Sequence, residues 1–299
     1  MIDLHSHSTF SDGEKTPGEL VEMAHNIGLS ALALTDHDTV SGCQELQQAA
    51  QKYPDLLAIN GVEFKVDHPA DIEIIALNIS NLKPYLTREK MLLKNREETS
   101  YQRVEKLSQL GYHIAWENVA YDEFGNKRKA IAKPHIVNYL LASGQIDDKE
   151  FAYRQLLDEG CPAYVKAKAP TAEETIDFIR STGAVSILAH PCLIHLKGQD
   201  LFNEIARLKK CGLQGMEVEH SDMSTDEVRE YNQIADTLGL LKSGGSDYHG
   251  QNAHPGVELG FGKGNLNIPH EYIAKIIAAT NSAPKTANLS LLKEKQSNR

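Results

Sequence analysis

Short runs of apolar and β-branched residues recur along this chain, separated by segments whose apolar positions repeat at helical spacing. Residues 31–35 (Ala-Leu-Ala-Leu-Thr), 57–62, 72–77, 184–189, 214–219 and 240–243 read as buried strands. Helices are predicted between several of them. Pro17 after Thr16 marks a first helical turn, and Leu20, Val21, Ala24 and Ile27 form a stripe that stops at Gly28. A second helix runs from about Thr171 to Ser181 before Gly183, and a third from about Thr225 to Leu238 before Gly239. Strand–helix alternation of this kind predicts a parallel sheet or an α/β barrel.

The middle of the chain has another rhythm. From about Arg88 to Leu110 it is long, charged and helical, with Tyr101, Val104, Leu107 and Leu110 on one stripe. Pro134 to Leu141 and Lys149 to Leu157 read as two shorter helices, and only a weak strand pattern, near 113–121, interrupts them. The expected organisation is a discontinuous body, 1–81 and 164–282, with a mainly helical insertion at 82–163 that returns near Ala163-Tyr164-Val165. A polar tail, 283–299, follows. Trp116 and the tyrosines near it are assigned to packing within the insertion.

Six of the thirteen histidines fall where strands should end: His5, His7, His37, His190, His220 and His249. In α/β barrels those ends converge on one face. Asp12, Asp36, Asp38, Glu63 and Asp247 accompany them. Imidazoles mixed with carboxylates suit Zn, Mn or Fe. On a strand, His5-x-His7 places both rings on one face, about 7 Å apart, and Asp247-x-His249 repeats that spacing. One such pair occurs by chance in many chains. Leaving so many polar groups unpaired at strand ends would cost several kcal/mol, roughly, in desolvation, so a metal cluster is expected. His25, His68, His113 and His270 have no ligand-like neighbours in sequence, and His195 and His254 read as loop residues.

The ordered set HxH, SDG, TDHD, GVE, AHP and SDxH resembles the polymerase and histidinol phosphatase (PHP) family of metal-dependent phosphoesterases, from Met1 to about Gly262. Within it the chain looks most like the stand-alone branch that acts on nucleotides and related small phosphates. Lys133-Pro134-His135-Ile136 resembles that branch's Arg-Pro-His signature, with a point charge in place of a bidentate fork. The resemblance implies an α/β fold, a distorted seven-stranded (β/α) barrel with a mainly helical insertion. It implies two or three divalent ions (Mn, Fe or Zn). One would be held by His5, His7, Glu63 and Asp247; a second by Glu63 and His190; a third by Asp12, His37 and His249. The family usually has a histidine where this chain has Glu73, so Glu73 is the candidate ligand that alters the second site. Asp36 and Asp38 are expected to orient His37 and the metals.

The implied chemistry is hydrolysis by metal-activated water, with bound phosphate as the natural anion. Glu63, Asp247 and His220 form the expected catalytic set. His220 is a candidate acid or phosphate contact, or alternatively a further ligand or a plain strand-end histidine. Residues 82–169 hold 15 Lys/Arg against 12 Asp/Glu, whereas the remainder holds 16 against 29. A helical insertion capping the active site would therefore offer Lys133, His135 and Lys166 to substrate, with Lys127–Lys129 a contact or a solvated turn.

Composition narrows the alternatives. The chain has 299 residues and a net charge of −10, with 41% hydrophobic and 24% charged residues, the values of a water-soluble globular protein that does not bind duplex nucleic acid by bulk charge. No apolar run reaches membrane-spanning length, no signal peptide is evident, and the four cysteines are scattered. A cytoplasmic enzyme is expected, with neither a membrane nor an obligate protein partner. Its expected substrates are small phosphate monoesters: nucleoside monophosphates or 3′,5′-bisphosphates. A 5′→3′ exonuclease on short single-stranded RNA or DNA, a cyclic sugar-phosphate diesterase, and a non-catalytic metal-binding regulatory module are the alternatives.

Overall fold

A computed structural model describes residues 1–122, 124–128 and 131–280; the expected tail at 283–299 lies outside them. The chain divides into two compact units, Met1–Thr87 with the chain from Pro170 onward, and Arg88–Ala169.

The first unit is built on seven strands in sequential order: β1 (Ile2–Asp3), β2 (Ala31–Leu34), β3 (Leu57–Lys65), β4 (Glu73–Leu77), β5 (Val185–Leu188), β6 (Gly215–His220) and β7 (Leu241–Gly245). All neighbours pair in parallel except β4, which runs antiparallel to both β3 and β5. The expected barrel is thus built on a mixed rather than a wholly parallel sheet. The reason is local: only seven residues link Lys65 to Glu73, too few for the helical crossover that a parallel pair needs. The helices of this unit are α1 (Pro17–Asn26), α2 (Cys43–Ala50), α7 (Ala172–Ser181), α8 (Gly198–Lys210), α9 (Thr225–Leu238) and α10 (Glu271–Ala279), with α3 to α6 in the other unit's stretch of chain. Helices α1, α7 and α9 each open with a reciprocal cap, Thr16/Glu19, Thr171/Glu174 and Ser224/Glu227, in which hydroxyl and carboxylate each satisfy a backbone N–H. These caps start the three helices close to where the apolar pattern and the terminating glycines had placed them. Helices α2 and α8 begin without a side-chain cap and escaped it.

The sheet nearly closes into a barrel. Leu4 N–H donates to Gly244 O (3.2 Å), Asp247 N–H to His5 O (2.9 Å) and His7 N–H to Tyr248 O (2.9 Å). A Cβ added at Gly245 would stand 2.4 Å from the His5 backbone nitrogen, so glycine is what lets the two ends meet. Gly245→Ala is expected to cost about 1–3 kcal/mol by overpacking, lowering the thermal midpoint by about 2–12 °C. A melting curve that matches the parent protein would show that the seam tolerates a side chain. The HxH pair also differs from expectation: β1 ends at Asp3 and β7 at Gly245, so His5, His7, Asp247 and His249 lie just past their strands.

The second unit contains most of α3 (Lys83–Gln109), then α4 (Trp116–Ala120), α5 (Lys133–Ala142) and α6 (Lys149–Phe151), which continues as one π-helical stretch, Ala152–Leu157. The weak strand expected near 113–121 is α4 instead. Val104, Leu107, Ile136, Val137, Leu140 and Leu157 are core residues here, with Trp116 packed against them. Tyr101 and Leu110, expected on the same stripe, are exposed. The division falls six residues beyond each expected boundary, 81/82 and 163/164. Tyr85 is buried against Phe64 and Phe178 and bonded to Thr182, which holds the start of α3 to the barrel. Asn95, Arg103 and Lys106 donate to the carbonyls of Lys168, Val165 and Tyr164, which ties the returning segment to α3.

Candidate metal centre

Parallel strands deliver their C-terminal ends to one face, and antiparallel β4 delivers its start. His5 and His7 follow β1, His37 follows β2, Glu63 lies on β3, Glu73 opens β4, His190 follows β5, His220 ends β6, and Asp247 and His249 follow β7. Asp12, in the turn after β1, joins His7, His37 and His249, so all nine expected ligands come together on this face, with His220 beside them.

Their donor atoms interlock. His5 Nε2 and His7 Nε2 are 3.1 Å apart. Glu63 Oε2 lies 3.3 and 3.4 Å from them, and Asp247 Oδ1 lies 3.3 and 3.1 Å. The other Glu63 oxygen meets His190 Nε2 at 2.9 Å, where Glu73 Oε2 stands at 3.3 Å. Asp12 approaches His249 Nε2 (3.3 Å), His37 Nε2 (3.7 Å) and His7 Nδ1 (3.8 Å). His37 Nδ1 turns back to Glu63 Oε2 at 3.1 Å. Glu63 thus touches every part of the cluster.

These distances test whether the residues fit a metal. Bonds of about 2.0–2.2 Å in tetrahedral geometry put donor atoms about 3.3–3.6 Å apart, and the edges among His5, His7, Glu63 and Asp247 are close to that. Two imidazole nitrogens at 3.1 Å have room for one proton or one cation between them. Buried His7 Nδ1, Glu63 Oε2, His190 Nδ1 and Asp247 Oδ1 have no hydrogen-bond partner, a costly arrangement that ligation relieves at the carboxylate oxygens. The donor set fits.

Electrostatics agree. Burial opposes charge on Glu63, yet His5, His190 and His37 hold its carboxyl well below the usual range. Burial likewise opposes charge on Asp247, and His5, His220 and His7 outweigh it. For His5, burial is outweighed by Glu217, Glu63 and Asp247, which lift the imidazole well above its ordinary value. For His7 burial wins over Asp247, leaving a neutral ring with a lone pair to donate. His190 and Asp247 also adopt positive φ, 22° and 56°, the backbone strain that clusters at functional sites.

Sequence reasoning missed the supports beneath the ligands. Glu217, fully buried on β6, places Oε1 3.1 Å from His5 Nδ1 and accepts the His190 N–H at 2.7 Å. It fixes the His5 tautomer with Nε2 free to ligate. The available signal was a carboxylate at an inward position of a buried strand. Asp3, also buried, accepts from Ser246 Oγ, Ser246 N–H and Gly260 N–H. Asp36 does not reach His37; it accepts from Ser8 N–H, Ser8 Oγ and Ser11 Oγ, pinning the turn before Asp12. Asp38 donates its backbone N–H to Glu63 O. His254, set aside as a loop residue, converges with Asp247 and His249 as a further potential ligand group.

His220 lies differently from the expected acid. Its side chain is fully buried, Nδ1 accepts the Asp222 N–H at 3.1 Å, and Nε2 faces Asp247 Oδ2 at 3.5 Å. It is placed beside the candidate ligand Asp247, where it can orient that carboxylate. In the helical unit, Lys133 pairs with Asp158 at 2.8 Å, and His135 Nδ1 accepts the Ala132 N–H at 3.2 Å, capping α5. Lys127 pairs with Glu97 at 2.7 Å, and Lys166 is exposed.

The chain is similar to known proteins. The PHP domain family model matches residues 3–180. A Haemophilus influenzae protein named 5′-3′ exoribonuclease is 31% identical over 83% of this chain and 89% of its own length. The 3′,5′-nucleoside bisphosphate phosphatase of Chromobacterium violaceum is 31% identical over 83% of this chain and 87% of its own. A solved structure from Bifidobacterium adolescentis, described as a metal-dependent phosphoesterase, has a TM-score of 0.70 at 26% identity, covering 94% of this chain and 96% of that one.

Proposed function

The chain belongs to the PHP family, and from that premise we propose that it is a metal-dependent phosphoesterase releasing phosphate from small nucleotides. The observation that carries the reading is the donor set shared through Glu63, one of whose oxygens faces His5, His7 and His37 and the other His190. We assign His5, His7, Glu63 and Asp247 to one ion, Glu63, Glu73 and His190 to a second, and Asp12, His37 and His249 to a third. Bound divalent ions supply Lewis acidity and acidify water to the point of attack on phosphorus. The protein's own part is to hold the donors rigid. Glu217 fixes His5, His220 steadies Asp247, and Asp38 ties β2 to Glu63. Glu73 adds an oxygen donor where the family has nitrogen, which favours Mn or Fe over Zn.

Nucleoside 3′,5′-bisphosphates are the favoured substrates. The cleft that opens on Glu63, Glu73 and His190 measures about 210 Å³, below the roughly 300–1,000 Å³ that encloses a drug-sized ligand. It suits a phosphoryl group, with the nucleoside outside. A second reading, 5′→3′ trimming of short RNA, is favoured by the equal identity to the exoribonuclease. Lys133, His135 and Lys166 are retained as proposed substrate contacts. Among the described residues no helix is long and apolar enough to cross a membrane, and no disulfide joins the four cysteines; we place the enzyme in the cytoplasm.

The test is phosphate release with Mn(II) across mononucleotides, 3′,5′-bisphosphates, sugar phosphates and short oligoribonucleotides. Turnover is expected to vanish on chelation and return with Mn(II). A protein loaded with metal that releases phosphate from none of them overturns the proposal.

A further inference from the structure

The cleft is lined mainly by imidazoles and carboxylates, and Lys65 is the lone ammonium among its described lining residues. Its placement follows from strand geometry. Lys65 is two residues beyond Glu63 on β3, so both side chains leave the same face of the strand. Its cross-strand partner is Glu73, which lies on that face too. The β3–β4 hairpin therefore presents two metal-facing carboxylates and one cation to a single opening.

Lys65 is not there to hold the fold. Its recorded ion pair is with Asp71 at 3.3 Å, between side chains that are 62% and 57% exposed. Such surface pairs contribute little, because water competes for both partners. Asp71 sits at the hairpin with a left-handed φ of 54°, which keeps it beside the lysine at the rim. A cation held loosely by one solvated carboxylate is ready to exchange that partner for a doubly charged phosphate. Two strand rises, about 6.6 Å, separate the Lys65 backbone from that of Glu63. A phosphoryl group at the buried donors and a second phosphate at the rim fit that separation.

Resting on the phosphoesterase reading above, we propose that Lys65 is a specificity-determining residue that binds the phosphate not being hydrolysed. The shared chemistry is a second phosphate near the scissile one, which comes either from a nucleoside bisphosphate or from the next phosphodiester of an oligonucleotide.

The experiment compares Lys65→Gln and Lys65→Arg with the parent enzyme on AMP, adenosine 3′,5′-bisphosphate and the dinucleotide pApA. Lys65→Gln is expected to reduce the preference for a two-phosphate substrate over AMP about tenfold, through KM rather than kcat, and Lys65→Arg to restore most of it. Loss with the bisphosphate or with pApA supports the proposal and identifies the source of the phosphate. Calorimetric titration of the metal-loaded proteins with AMP and adenosine 3′,5′-bisphosphate reads the same contact without turnover. An unchanged preference in both assays, or Asp71→Asn reproducing the Lys65→Gln loss, overturns it. A parent enzyme that releases no phosphate overturns the activity instead, and the titration still decides Lys65.

Discussion

Replacing Glu63 with glutamine is expected to cut phosphate release by between about 10² and 10⁴. Removing one partner from a buried charge pair costs about 3–5 kcal/mol, and each 1.36 kcal/mol in the barrier is about tenfold in rate. Glu63 is exposed to this loss more than any other ligand because both its oxygens are engaged, with His5, His7 and His37 at one and His190 at the other. Glutamine keeps the shape but removes the charge and turns one oxygen into an amide donor, which repels a cation. The β3 backbone is unaltered, so circular dichroism should be unchanged while bound metal falls. Near-normal turnover in a folded Glu63→Gln protein would remove the bridge from the site.

The second large effect is expected at Glu217, which no ligand motif includes. Its carboxylate holds His5 Nδ1 and the His190 N–H at once, so Glu217→Ala frees a ring and a backbone segment belonging to different ligand groups. Residues that orient a ligand in this way typically govern 10- to 100-fold, roughly, in metal affinity. Competition titration with a chromophoric chelator should show a loss of that size for Mn(II). Glu217→Gln, which preserves an acceptor, should lose less. Equal affinity in parent and Glu217→Ala would reduce Glu217 to a packing residue.

The contrast between these two glutamates shows what the sequence could convey. Glu63 was legible because it follows an apolar run and stands in an ordered series of strand-end motifs. Glu217 was not, since Met216-Glu217-Val218-Glu219 reads as ordinary alternation until the inward face is known. His220 is similar: its place at a strand end was visible, its complete burial was not. In the fold, helices with reciprocal caps were placed closely, while α2 and α8, lacking caps, were passed over. The orientation of β4 was hidden in a loop length, and short loops carry no periodicity to read.

The seam between the two ends of the barrel has a consequence for how the protein comes into being. His5 and His7 leave the ribosome first, and Asp247 and His249 follow only after more than two hundred further residues. Until Ser6 pairs with Tyr248, the proposed set of His5, His7, Glu63 and Asp247 lacks its aspartate. Closing so distant a contact is entropically slow. Metal capture at that set would wait for Asp247, and ions bridging these distant segments would clasp the barrel much as a cross-link would. Chain termination anywhere before Asp247 leaves a protein that cannot assemble that clasp.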